Sequence, residues 1–340
     1  MAINKAVLAA MKAVSRVSPD IRSSYRAIRV AEDVSSGIGI PDPRCKVEER
    51  SVAASDGYEI PCRVFTPREF EFSLREGLQV TEDFLGTVLF FHGGGWANGD
   101  VDFYADACAA TAIRLERRVV SVDYRRAPEH RFPRAVEDCY EVARSLHAGD
   151  LLPDVRKDRI VLFGDSAGGN LAAAVSLMAR DRGEFAVRTQ MLLYPALGSD
   201  HDPATSPFDS VRENGEGYLL TSRDISGYME LYASGPEDRG NPYFAPLAAS
   251  DLSSQPRTLV MTADHCPLRD EGECYARRLA EAGGEVACYR LLDAVHGFFV
   301  HGSVPGPLKD TYRIMRHFLD GDELAAGEGD PTWREIPGIA

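Results

Sequence analysis

Three short stretches of this 340-residue chain carry side chains able to do nucleophilic chemistry. Gly164-Asp165-Ser166-Ala167-Gly168 follows the strand-like run Ile160–Phe163 and opens a helical pattern. A nucleophile elbow needs that context: the serine sits on a strained strand-to-helix turn with its hydroxyl exposed, and the flanking glycines let strand and helix approach. In a chain with 30 glycines the pattern also fits an ordinary tight βα turn, and the strand before it and helix after it favour the nucleophile. His92-Gly93-Gly94-Gly95-Trp96 ends an earlier run, Thr87–Phe91. Bare backbone at consecutive glycines can aim N–H groups at one point, which a developing oxyanion requires. Gly94, Gly95 and the N–H of Ala167 are the expected donors. A phosphate-cradling loop is the competing reading, but no Gly-Lys-Ser/Thr follows and no Gly-x-Gly-x-x-Gly is completed. His92 is expected to orient the loop rather than to act as a base. His296-Gly297-Phe298 comes late, after the strand-like run Val286–Leu292. A histidine that follows the serine in chain order suits a general base. His130, His147, His201, His301 and His317 have no comparable context.

A scaffold has to deliver these residues to one place. Thr87–Phe91, Val119–Asp123, Ile160–Phe163, Met191–Tyr194 and Thr258–Thr262 are compact apolar runs. Helical patterns at Ala105–Glu116, Ala135–His147, Ala167–Arg180 and Glu271–Ala282 separate most of them. Short continuous apolar strands alternating with helices predict an α/β fold with a mostly parallel sheet, flanked by helices on both faces. Upstream, Arg50–Ala54 and Glu59–Thr66 read as strands joined by a turn at Ser55-Asp56-Gly57, preceded by helical patterns over Ala2–Arg29 and Ile21–Ile28. The long segment between Tyr194 and Thr258, with Tyr218, Tyr228 and Tyr232, predicts a lid or cap at a strand's carboxyl end. Arg68–Gly86 reads as a solvated acidic loop, and the Gly- and acid-rich tail after Asp320 as loose.

Composition narrows the classes. With 38 Lys+Arg against 52 Asp+Glu the formal net charge is −14, which argues against broad binding to nucleic acid or anionic lipid. A content of 44% hydrophobic and 26% charged residues supplies a sizeable core without disulfide or metal staples. The seven cysteines are scattered with no Cys-x-x-Cys, so a zinc site or redox dithiol is not expected and a reducing compartment is. No secretion-type segment and no apolar run of about 18 residues occurs, so a cytoplasmic location is expected and a membrane span is not.

Taken together, His92–Trp96, Asp123-Tyr124-Arg125-Arg126-Ala127-Pro128-Glu129-His130, the run Phe132-Pro133 to Glu137-Asp138, Gly164–Asn170 and His296–Phe298 resemble the hormone-sensitive-lipase-like family of α/β-hydrolase esterases. The similarity runs from about Val88 to Phe299. The resemblance implies an eight-stranded hydrolase core under a helical cap. It divides the chain into N-terminal cap helices (1–45), a first core part (46–197), a cap insertion (198–245), a second core part (246–320) and a C-terminal tail (321–340). It implies Ser166 as nucleophile, His296 as general base, and Gly94, Gly95 and Ala167 as oxyanion donors. It further implies hydrolysis of short- to medium-chain acyl esters, small-molecule substrates, no metal or organic cofactor, and a homodimer.

One position departs from the pattern. Members usually carry Asp-Pro-Leu-x-Asp-Glu-Gly, whose first Asp orients the histidine, whereas this chain has Cys266-Pro267-Leu268-Arg269-Asp270-Glu271-Gly272. A neutral thiol cannot offset an imidazolium, and loss of that charge in a comparable triad costs about 10⁴ in turnover. Asp264, two residues upstream, is the favoured replacement acid, with Asp270 as the alternative; a third reading is that the acid is absent. Cys266 as a nucleophile in its own right is the least favoured. The leading function is a serine carboxylesterase. The alternative is a catalytically silent ligand-binding protein on the same fold, a route that the plant gibberellin receptors, which resemble this family, show to be open.

Overall fold

The computed structural model describes residues 12, 15, 19–36, 42–68, 86–301, 305–324 and 332–339. The early part of the Ala2–Arg29 helical pattern and nearly all of the Arg68–Gly86 loop lie outside the described residues. In chain order the main elements are α1 (Ile21–Ser36), β1 (Cys45–Ala53), β2 (Glu59–Pro67), β3 (Thr87–Phe91), α2 (Ala105–Leu115), β4 (Arg118–Val122), α3 (Arg134–Ala148), β5 (Ile160–Asp165) and α4 (Ala167–Arg182). They continue with β6 (Thr189–Leu193), α5 (Asp209–Glu213), α6 (Ser222–Tyr232), β7 (Arg257–His265), α7 (Arg269–Glu281), β8 (Val286–Val295), α8 (Phe298–His301), α9 (Pro305–Asp320) and β9 (Trp333–Glu335).

Among the described residues, nine strands form one sheet in the order β1-β2-β4-β3-β5-β6-β7-β8-β9. The six strands from β4 to β8 run parallel, and β1, β2 and β9 add antiparallel edges. Every residue of β3 and β5 is buried. This is why those strands are apolar runs rather than alternating ones. Helices α2 and α9 pack together, α3 packs on α4, and α7 lies against β7 and β8. Register carries the chemistry to one end of the sheet: Phe91, just before His92, pairs with Gly164, and Asp165 pairs with Leu193.

The sheet has one strand more than the resemblance implied, and the addition comes from the supposedly loose tail. Trp333–Glu335 pairs with Tyr289–Leu291. The Trp333 ring meets Tyr289 edge-on at 5.4 Å, and Ile336 and Ile339 are buried. Three apolar side chains among acidic and glycine residues are a weak periodic signal, yet they suffice once the β8 edge is there to pair with. Among the described residues, no helix is long and apolar enough to cross a membrane.

Two distant pieces of chain from the segments expected to form the cap, α1 and α6, pack on each other. Their approach is close, because a Cβ on Gly227 would come within 2.3 Å of Ile21 Cγ2. Arg29 of α1 donates to the Ala97 and Ala127 carbonyls at 2.6 and 2.7 Å, anchoring the cap to the core. α6 starts with a reciprocal capping box: Thr221 Oγ1 accepts the Asp224 N–H, and the Asp224 carboxylate accepts the Thr221 N–H at 3.2 Å. Thr221→Ala is expected to cost about 1 kcal/mol. Thermal melts should show a drop of a few degrees, and an unchanged midpoint would mean the cap melts independently of the core.

Candidate active site

β5 delivers Ser166 to a sharp turn at φ 55, ψ −119, and α4 begins at the next residue. For a non-glycine side chain that conformation is strained by about 1–3 kcal/mol. The surroundings hold it there: Ser166 N–H donates to the Leu193 carbonyl at 2.9 Å, and the Ser166 carbonyl accepts from Asn170 and Ala196. His296 follows the end of β8 and places Nε2 2.8 Å from Ser166 Oγ, with its ring against Tyr194 at 4.7 Å.

The other face of His296 meets sulfur. Cys266 Sγ lies 3.2 Å from Nδ1 and also accepts the Leu268 N–H at 3.4 Å. Cys266 is fully buried, and burial pushes its thiol well above the usual range, so it is a neutral S–H. Neither expected carboxylate sits at this position. The Asp264 carboxylate faces Arg290 at 3.7 Å. Asp270 accepts the Ser210 N–H at 2.7 Å and Arg269 Nε at 2.7 Å. Residues two apart on a strand share a face, which is what favoured Asp264. β7 ends at His265, so Cys266 lies beyond the strand, where the alternation of faces no longer applies, and Asp264 and Cys266 diverge.

Gly94 and Gly95 take positive φ of 107 and 60. A Cβ on Gly95 would lie 2.3 Å from the Tyr228 ring of α6, so the loop needs glycine there for both conformation and space. Gly94, Gly95 and Ala167 line one cavity of about 240 Å³ with Ser166 and His296. Among the described residues, neither glycine N–H has an acceptor in the protein, and Ala167 supplies one of the unpaired donors at the start of α4. Both halves of the cap reach this cavity, through Ile28 from α1 and Ile225 and Tyr228 from α6. His92 is buried, stacked on Tyr124 at 4.2 Å and bonded through Nδ1 to the Gly93 carbonyl. Burial lowers its pKa to about 4, and it shapes the glycine loop. Tyr218, in the segment expected to form the lid or cap, stacks on His265 at 4.9 Å. Trp96 does reach the cavity wall while stacking on Tyr232 at 4.7 Å.

Residues 88–300 match a family described as having an alpha/beta hydrolase fold. The chain is 37% identical over 261 residues to an arylesterase of Saccharolobus solfataricus, covering 76% of this chain and 78% of that protein. It is 36% identical over 292 residues to the carboxylic ester hydrolase LipN of Mycobacterium tuberculosis, covering 83% of this chain and 71% of the relative. The chain belongs to the hormone-sensitive-lipase-like family of α/β-hydrolase esterases. A solved structure, the hyperthermophilic esterase of the archaeon Pyrobaculum calidifontis, superposes with a TM-score of 0.80 at 32% identity, covering 94% of this chain and 99% of that one. With relatives of this kind, the silent-binder alternative is not favoured for this esterase.

One part of the esterase's site was passed over in reading the motif. Asp165, the variable residue of Gly-x-Ser-x-Gly, is 2% exposed. Its carboxyl accepts the Gly93 N–H at 2.8 Å and the hydroxyls of Tyr104 and Tyr194 at 3.1 and 3.3 Å. It thereby ties the glycine loop to the nucleophile strand. An aspartate inside an otherwise apolar strand was the available signal, since a buried acid needs dedicated partners. Burial pushes its carboxyl up to about 7, against the hydrogen bonds. Between 3.8 and about 7 the folded chain therefore retains a proton that the unfolded chain has released, so this group's contribution to stability falls as pH rises through that window. Asp165→Asn mimics the protonated carboxyl and should flatten that fall. Melting temperatures from pH 4 to pH 7 should show the wild type losing ground to the variant; a pH-independent gap would count against the raised value.

Proposed function

We propose that this carboxylic ester hydrolase works through an acyl-enzyme on Ser166, with His296 as general base and Cys266 holding the position of the triad acid. The 2.8 Å contact between His296 Nε2 and the hydroxyl of a strained, pocket-facing Ser166 carries the proposal. The Ser166 oxygen attacks the ester carbonyl while His296 Nε2 takes its proton. The carbonyl oxygen becomes an oxyanion against the N–H groups of Gly94, Gly95 and Ala167. The intermediate collapses as the C–O bond to the alcohol breaks, and His296 returns the proton to the departing oxygen. Water then repeats the sequence on the acyl-enzyme and releases the acid.

Cys266 is a positioning residue in this scheme. When its sulfur accepts the Nδ1–H, the lone pair of Nε2 faces Ser166 and the base is competent. When its S–H donates to Nδ1 instead, the proton sits on Nε2 and the base is blocked. A carboxylate would permit only the first arrangement. The cavity of about 240 Å³ with apolar walls supports short acyl chains as substrates. Hydrolysis of p-nitrophenyl butyrate, with an alkyl phosphonate trapping one equivalent on Ser166 as read by mass spectrometry, tests the proposal. Phosphonate carried by another residue would overturn it.

A further inference from the structure

The chemistry at Ser166 leaves several polar side chains of the cavity unused. Glu32 of α1 lines the cavity, and one of its carboxylate oxygens accepts the Gly99 N–H at 2.9 Å. Among the described residues it has no second hydrogen-bond donor. Asn98, two residues past Trp96, is 1% exposed and lines the same cavity. Its Nδ2 donates to the Tyr228 hydroxyl at 3.3 Å, and its Oδ1 is buried without a partner. Buried acceptors are rarely left unpaired in a finished structure. Asn98 itself lines the space where substrate sits, so a bound ligand is the natural source of the missing donor. Tyr228 accepts from Asn98, which leaves its own O–H proton to be given elsewhere.

We propose that Glu32, Asn98 and Tyr228 form a subsite for a hydroxyl group, selecting esters that carry one on an otherwise apolar body. This rests on the reading of Ser166 as nucleophile. A hydroxyl can donate to an acceptor such as Asn98 Oδ1 and accept from Tyr228, which suits a mixed set of partners. An ammonium fits less well, because the Arg126 guanidinium is already beside Glu32, donating to the Gly99 carbonyl at 2.6 Å and to Asp100 at 3.4 Å. Burial, with Asp100, holds the Glu32 carboxyl above its usual range, against the Gly99 N–H and Arg126. Leu219, Leu220, Ile225 and Val300 supply the apolar remainder of the wall.

The test is a pair of selectivity ratios in kcat/KM. On the acyl side, p-nitrophenyl 3-hydroxybutyrate is compared with p-nitrophenyl butyrate; on the alcohol side, 2-hydroxyethyl butyrate with ethyl butyrate. The wild type is expected to favour the hydroxylated member about 10–10³-fold on one arm, which also shows where the hydroxyl sits. Glu32→Leu and Tyr228→Phe should each cut that ratio about tenfold or more, while Glu32→Gln keeps part of it. Because ratios are compared, a general loss of rate from a disturbed glycine loop cancels. Wild-type ratios near one on both arms overturn the subsite, as does a preference that survives Glu32→Leu and Tyr228→Phe unchanged. Failure of every ester to react would instead overturn the reading of Ser166.

Discussion

Cys266→Asp is expected to raise kcat by about 10²–10⁴-fold on p-nitrophenyl butyrate. The site is already shaped for a carboxylate: Cys266 Sγ lies 3.2 Å from His296 Nδ1 and accepts the Leu268 N–H. An aspartate there would accept both N–H groups, eliminate the blocked histidine tautomer, and offset the imidazolium that forms as Ser166 attacks. The same anion favours protonation of His296, so the acidic limb of the kcat/KM profile should move to higher pH. A carboxylate buried near Asp270 and Glu271 is destabilising even with Arg269 close by, so a lower melting temperature should accompany the gain. Cys266→Ala serves as the reference. If the aspartate variant is no faster than the alanine variant and shows no shifted limb, position 266 does not serve His296.

Ser166→Ala is expected to abolish phosphonate trapping and to lower turnover, by an amount that depends on residue 266. In a complete triad, loss of the serine costs about 10⁶ in kcat and loss of the acid alone about 10⁴, so a serine working without its acid is worth about 10². The substitution should therefore cost about 10²-fold in the natural chain and about 10⁴–10⁶-fold in the Cys266→Asp background. Such non-additivity is the signature of groups that act as one unit. Equal losses in the two backgrounds would show that residue 266 and Ser166 act independently. An unchanged rate in Ser166→Ala would remove the serine from the mechanism altogether.

The parts of this protein that could be read before folding are those whose physics is local. Thr87–Phe91 is a strand over the same five residues in sequence pattern and structure, because burial on both faces demands an uninterrupted apolar run. Ala105–Glu116 and α2 differ by one residue at the end, where Glu116 closes the helix in the left-handed conformation. The elbow around Ser166 was legible for a related reason: only small flanking residues let β5 turn into α4 at that angle. β9 was missed because its few apolar residues have nothing to alternate against until β8 offers an edge.

Residue types and chain order by themselves determined that a serine, a late histidine and a glycine loop would meet at the carboxyl ends of a parallel sheet. Folding decided what stands behind the histidine. The period-two rule pointed to Asp264, but β7 ends at His265, with the Asp264 carboxylate toward Arg290 and Cys266 beyond the strand at Nδ1. It also decided that Asn98, unremarkable as a letter, is a buried polar group at the edge of the chemistry. Periodicity encodes which residues face inward along one element. Where a strand ends, and which long-range partner fills the space beyond it, depends on packing among elements far apart in the chain.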